Sequence, residues 1–140
     1  RVAEMSNVAL MLDEPICDLA DIEKAATIKG VGFCKLKLKR FGSLACLGLG
    51  LERVRYLGME PVLGDGLGSD ITGWMEACVT QTLIGNAGEF NGFLKSSEQL
   101  FETPLRFEGG DLVLPKGFAP RLDGQRLDRL TIDVVEFAAA

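Results

Sequence analysis

Short apolar runs alternate with longer stretches whose apolar residues recur at helical spacing, and this rhythm holds to about residue 95. "NVALML" (7–12) reads as a buried strand. "DLADIEKAATIKG" (18–30) reads as a helix capped by Asp18, with Asp21 favouring its positive N-terminal end. Gly30 and Gly32 bracket the way into a second strand, "FCKLK". In "SLACLGLGLERVRYLG" the apolar positions Leu44, Leu47, Leu51, Val54 and Leu57 predict a second helix, with Gly58 at its stop position. "MEPVLG" predicts a third strand, "SDITGWMEACVTQTLIG" a third helix opening at Ser69, and "GEFNGF" a fourth strand. The order β-α-β-α-β-α-β predicts an α/β fold of parallel strands with right-handed crossovers. Beyond it, "PLRFEGGDLVLP" predicts a hairpin turned at Gly109-Gly110 and "GQRLDRL" a short helix. The tail after about residue 104 is expected to pack on the main unit as a cap.

One pattern stands out from this rhythm. In "KLKLKR" (35–40), Lys35, Lys37 and Lys39 alternate with Leu36 and Leu38, which predicts three ammonium groups on one face of a strand. Such a run is a common way to discourage pairing at a sheet edge. This strand, however, has strands on both sides in sequence and should be central. A lysine facing inward there needs a carboxylate or a substrate anion, and Asp13, at the neighbouring strand end, is the candidate. Clustered ammonium groups would also depress one another's pKa, as a catalytic base requires.

Polar residues gather at the predicted C-terminal ends of all the strands: Asp13-Glu14-Pro15, then Lys37 to Arg40, then "GDGLGSD", then Glu89 and Asn91. Asp13 and Lys37 are 24 residues apart, as are Asp65 and Glu89. In parallel α/β folds the site lies at those strand ends. Each feature also has a plainer reading: a turn after a strand, a solvated face, a surface carboxylate. "GDGLGS" imitates a dinucleotide fingerprint, but its last position is Ser69, and Asp65 and Asp70 would repel a pyrophosphate. Trp74 on the third helix reads as packing.

Composition narrows the chemistry. The chain has 140 residues, 47% of them hydrophobic and 25% charged, and a net charge of −5. That is one ordinary domain, long enough to bury a core. No apolar run reaches about 18 residues, so no membrane span is expected. A negative balance without a basic stripe argues against nucleic acid as a partner. "RVAEMSNVALML" lacks the shape of a signal peptide and resembles a cut end. Cys17, Cys34, Cys46 and Cys78 form no C-x-x-C pair, and reduced, buried thiols in a cytoplasmic protein are expected. There is no histidine. Ser–His and Cys–His mechanisms are therefore excluded, leaving carboxylates and lysines for acid–base work.

Taken together, these residues resemble the enolase superfamily, specifically the barrel domain of the mandelate racemase/muconate lactonizing enzyme group. "LMLDEPI" resembles that group's fifth barrel strand, and "LKLKRFGSL" its sixth, in which a lysine precedes a Gly-Gly or Gly-Ser pair by five positions; counting back from Gly42 gives Lys37. "VLGDGLGSDITGWMEAC" resembles the seventh strand with its loop and helix, and "GEFNGFL" the eighth. "LRFEGGDLVLPKGFAPRLD" is similar to the tail that returns from the barrel to the capping domain. The resemblance implies a (β/α) barrel of TIM type, with residues 1–103 as its C-terminal half and 104–140 as the tail returning to the cap region. It implies Mg²⁺ on Asp13, Lys37 as the acid–base lysine, and Glu89, Asn91 and Asp65 near the substrate. The implied reaction is abstraction of the proton α to a carboxylate in a racemase, dehydratase or cycloisomerase acting on a small carboxylate. Lys35 departs from the small or neutral residue usual at its position.

Two other functions fit the same residues. A half-barrel without the remaining strands would be catalytically incomplete and would self-associate, giving a homo-oligomer. A small flavodoxin-like module could use the glycine-rich loop to bind phosphate.

Overall fold

Helix α1 (Leu19–Ala26) shows how closely local rules and structure agree. Asp18 accepts a hydrogen bond from the Asp21 N–H, while the Asp21 carboxylate accepts one from the Cys17 N–H. Two donors at the helix start are satisfied reciprocally. The computed structural model describes residues 5–64 and 66–136. Its elements run β1 (Leu10–Leu12), α1, β2 (Val31–Leu36), α2 (Leu38–Phe41), α3 (Leu44–Tyr56), β3 (Glu60–Leu63) and α4 (Asp70–Leu83). A 3-10 turn (Gly92–Lys95), β4 (Phe107–Glu108), β5 (Asp111–Leu112) and α5 (Gly124–Leu130) follow.

The three long strands form one parallel sheet in the order β1-β2-β3, so the lysine-bearing strand is central as its flanks imply. Register decides what each face carries. Leu12 pairs with Cys34 and Cys34 with Pro61, and Leu36 pairs with Leu63; this face lies under the helices. Cys34, Leu36 and Leu63 are buried there with Leu47, Leu51 and Val54 of α3 and Ile22 and Ala25 of α1. Met11, Phe33 and Val62 alternate onto the opposite face with Lys35, and none of the three joins either hydrophobic cluster. Leu36 therefore belongs to the helix-covered face. Parallel sheets are ordinarily covered on both faces. Among the described residues this sheet is covered on one.

The expected fourth strand is reduced to a single parallel bridge, Gly64 to Glu89. Gly64 makes that approach possible: a Cβ at this position would stand 2.6 Å from the Glu89 Cβ and 2.7 Å from its carbonyl oxygen. The 3-10 turn then begins at Gly92, before a ladder can develop. The hairpin forms where the Gly-Gly pair predicts. Gly109 and Gly110 both take positive φ, 61° and 99°, the backbone that a two-residue hairpin loop requires.

A second hydrophobic cluster joins Phe93, Phe101 and Leu105 to Ile71 and Trp74 of α4 and to Phe107 and Leu112 of the hairpin. Trp74 meets Phe101 edge-on at 6.0 Å, a packing role. The four cysteines are free thiols, but only Cys34 is buried, so the expectation of buried thiols holds at that position alone. Cys17, Cys46 and Cys78 sit on the outer, solvent side of their segments. No helix among the described residues is long and apolar enough to cross a membrane.

Candidate active site

At the C-terminal edge of the sheet, β1 delivers Asp13 and β2 delivers Lys35 and Lys37. Leu12 lies level with Cys34, so Asp13, one step on, comes beside the lysine-bearing end of β2. The Lys37 ammonium is 2.6 Å from Asp13 Oδ1, and Lys35 Nζ is 3.8 Å from Oδ2. Arg40 adds a third cation. Its guanidinium donates to Asp13 Oδ1 at 3.1 Å, to the Asp13 carbonyl at 2.5 Å and to the Ile16 carbonyl at 3.4 Å. On the far side Lys35 also pairs with Glu89, which the Gly64 bridge brings to the sheet edge. A row of charges thus crosses the ends of the strands: Glu89, Lys35, Asp13, then Lys37 with Arg40.

Asp13 is half-buried, its side chain 21% exposed. Burial is the largest single influence on its carboxyl group and pushes the pKa up. The hydrogen bond and charge of Lys37, the charge of Lys35 and the Arg40 hydrogen bond together outweigh it and hold the carboxyl below its ordinary value. Asp13 is therefore an ionised anchor around which cations are arranged.

The structure brings together Asp13, Lys37 and Glu89 of the residues expected at the site. Asn91 is exposed at the start of the 3-10 turn. It lines a cavity of about 540 Å³ with Glu89, Asn86, Phe90 and Asp111, and Asp13, Lys35 and Lys37 do not line that cavity. Asp65 lies outside the described residues. The expectation of three lysines on one strand face is corrected. β2 ends at Leu36, and Lys39 is carried away by α2, where its ammonium donates to the Gly66 carbonyl at 2.6 Å. Lys35 and Lys37 alone keep the alternation.

The Mg²⁺ that the resemblance implies can be tested against the donors. Mg²⁺ demands near-octahedral oxygen coordination. Among the described residues no group of three or more His, Cys, Asp or Glu is placed to hold a metal ion. Asp13 is already engaged by three cations, and a dication approaching it would meet their repulsion. The described residues do not by themselves fit the ion.

Two participants were not singled out from the sequence. Arg40 was visible only as the end of a basic run. Glu76 is fully buried on α4 and accepts the Leu38 N–H at 2.7 Å. Its signal is positional: Asp70, Gly73, Glu76 and Ala77 make up the buried side of α4, so a carboxylate stands at a core position of the helix.

No protein-family model matches the chain, and no curated protein sequence matches it. Solved structures do. The muconate lactonizing enzyme from Pseudomonas putida superposes on 92% of this chain with a TM-score of 0.83 at 23% identity. An N-succinyl Arg/Lys racemase from Bacillus cereus superposes on 93% with a TM-score of 0.77 at 16% identity. A mandelate racemase/muconate lactonizing protein from Herpetosiphon aurantiacus superposes on 88% with a TM-score of 0.76 at 21% identity. The chain spans 36–37% of the length of these three structures. Over nearly its whole length it has the fold of a part of these racemase and lactonizing-enzyme structures, the resemblance its strand ends imply.

Proposed function

We propose that the chain is the C-terminal half of a (β/α) barrel, with residues 104–140 as a tail returning to the cap region, in an enolase-superfamily enzyme. The reaction is abstraction of the proton α to a carboxylate in a small carboxylate substrate. The observation that carries this reading is Lys37 Nζ held 2.6 Å from Asp13 at the C-terminal ends of adjacent parallel strands. As an amine Lys37 takes the α proton, and as an ammonium it returns one. Asp13 holds its Nζ in place. Lys35 and Arg40 supply positive charge where the substrate carboxylate gains negative charge in the transition state. Glu89, tied to Lys35, lines the substrate side of the row. Mg²⁺ would need further acids beside Asp13, and the described residues assign it no step.

The one-sided helix layer favours a barrel segment over a doubly wound module, which carries helices on both faces. The test is solvent deuterium exchange at the substrate α-carbon in the whole protein that contains these residues. Lys37→Ala is expected to abolish exchange and leave the fold intact, whereas Lys39→Ala, removed from the row by α2, retains most of it. Exchange by Lys37→Ala at the unaltered rate removes the proposal.

The open sheet face carries a second reading, self-association. Among the described residues, Met11, Phe33 and Val62 join neither hydrophobic cluster, and β1 pairs with β2 alone. Exposed apolar faces and unpaired edges invite a second chain. The 140-residue chain made alone is expected to form a dimer or aggregate; light scattering from a stable monomer at high concentration contradicts this.

A further inference from the structure

Lys37 is the last extended residue before α2, with φ −139° and ψ 132°, and its own side chain makes no capping hydrogen bond. The first N–H of α2, on Leu38, therefore needs an acceptor from elsewhere. Glu76 reaches it from α4 at 2.7 Å, and its side chain is 0% exposed. A carboxylate is costly to bury and is ordinarily retained where it holds a specific partner.

What this contact fixes extends beyond one amide. The Lys37 carbonyl accepts the Arg40 N–H at 3.0 Å, and the Leu38 carbonyl accepts the Gly42 N–H at 2.9 Å, so the turn closes on the carbonyls of Lys37 and Leu38. Lys37 and Arg40, from the two ends of that turn, converge on Asp13 Oδ1. The same switch from strand to helix carries Lys39 off the sheet.

We propose that Glu76 is a positioning residue: by capping the Leu38 N–H it ends β2 at the point that aims Lys37 and Arg40 at Asp13. The catalytic consequence rests on the reading of Lys37 given above, whereas the positioning itself does not.

The test uses the whole protein that contains these residues and no substrate, so its outcome is independent of the proposed reaction. Reductive methylation, mapped by mass spectrometry, reports how freely each ammonium leaves its partners. Exposed Lys24 serves as the internal reference. Glu76→Met fills the same space without an acceptor, and Glu76→Gln keeps a neutral acceptor. In Glu76→Met, Lys37 is expected to react about tenfold faster, the scale of one lost hydrogen bond to a charged group. Lys35 keeps its rate, and Glu76→Gln restores protection of Lys37. Protection of Lys37 in a folded Glu76→Met chain overturns the proposal. So does a joint rise of Lys35 and Lys37, which would mean that Glu76 only holds the fold together. If Glu76→Met does not fold, Leu38→Pro removes the donor and leaves the carboxylate. Proline is tolerated at a first helical position after an extended residue. Release of Lys37 alone in that variant supports the proposal, and its continued protection overturns it.

Discussion

The two hydrophobic clusters are held in different ways. The sheet cluster, around Cys34, Leu36, Leu47, Leu51 and Leu63, sits between a backbone ladder and amphipathic helices. Among the described residues, the cluster of Phe93, Phe101 and Leu105 has only the short hairpin pairing of Phe107 with Leu112 and the single bridge of Phe101 to Leu122. It is tied by side chains that satisfy loop backbone. Asp70 accepts the Leu100 and Phe101 N–H groups, both at 2.8 Å, Gln99 exchanges two hydrogen bonds with Leu105, and Arg126 donates to the Gln99 and Phe101 carbonyls. A ladder follows from hydrophobic period, while a clamp depends on single polar residues that meet only after folding. The first region should therefore fail chiefly on apolar truncation, whereas the second should also fail locally on the loss of a single polar side chain.

The largest effect expected from this contrast is Leu51→Ala. Leu51 is fully buried beneath the sheet, and truncation there should cost about 2–5 kcal/mol. Urea unfolding followed by far-UV circular dichroism measures it. A loss under about 1 kcal/mol would mean that the site collapses around the cavity, and the contrast would lose its first half.

Asp70→Ala comes next. It ranks second because its loss falls on one loop: it removes the acceptor of two backbone N–H groups. The damage should be local: faster amide exchange at Leu100 and Phe101, with Cys34 and Leu36 unchanged. Equal acceleration in both regions would show one cooperative unit.

The smallest effect concerns pH. The Asp13 carboxyl titrates below its ordinary value of about 3.9. Its folded pKa lies below its unfolded one, so the stabilisation is fully present above the unfolded value and is lost as pH falls through the folded one. Asp21 in the same region is also held low, chiefly by its hydrogen bond from Lys24. Melting temperature should fall as pH drops below about 4, and Asp13→Asn should flatten part of that fall. An unchanged acid slope in Asp13→Asn would remove Asp13 as a source of the sensitivity.

The first region was far more legible than the second. Asp18 caps α1, Ser43 caps α3, which ends at Tyr56 just before Leu57 and Gly58, and α5 occupies the expected seven residues, because caps and period are local properties. "GEFNGF" carries a strand-like pattern but yields one bridge, since the ladder needs a neighbour beyond Gly64 and the 3-10 turn intervenes. At the site, Asp13 beside Lys37 followed from strand order and alternation. Arg40 and Glu76 did not, because each acts across more than 20 residues of sequence on a partner that local pattern does not name.

By itself, then, the order of residues determined the parallel β-α rhythm, the central place of β2 and the charged row at the strand ends. Hydrophobic period and strand order are properties of neighbouring residues, so they survive without knowledge of the fold. Tertiary structure alone decided where the lysine alternation stops. Leu38 is a good helix former by type, but the alternation around it reads as strand. What ends the strand after Leu36 and starts α2 at Leu38 is an acceptor from α4, a buried carboxylate 38 residues away, which satisfies the first amide of the turn.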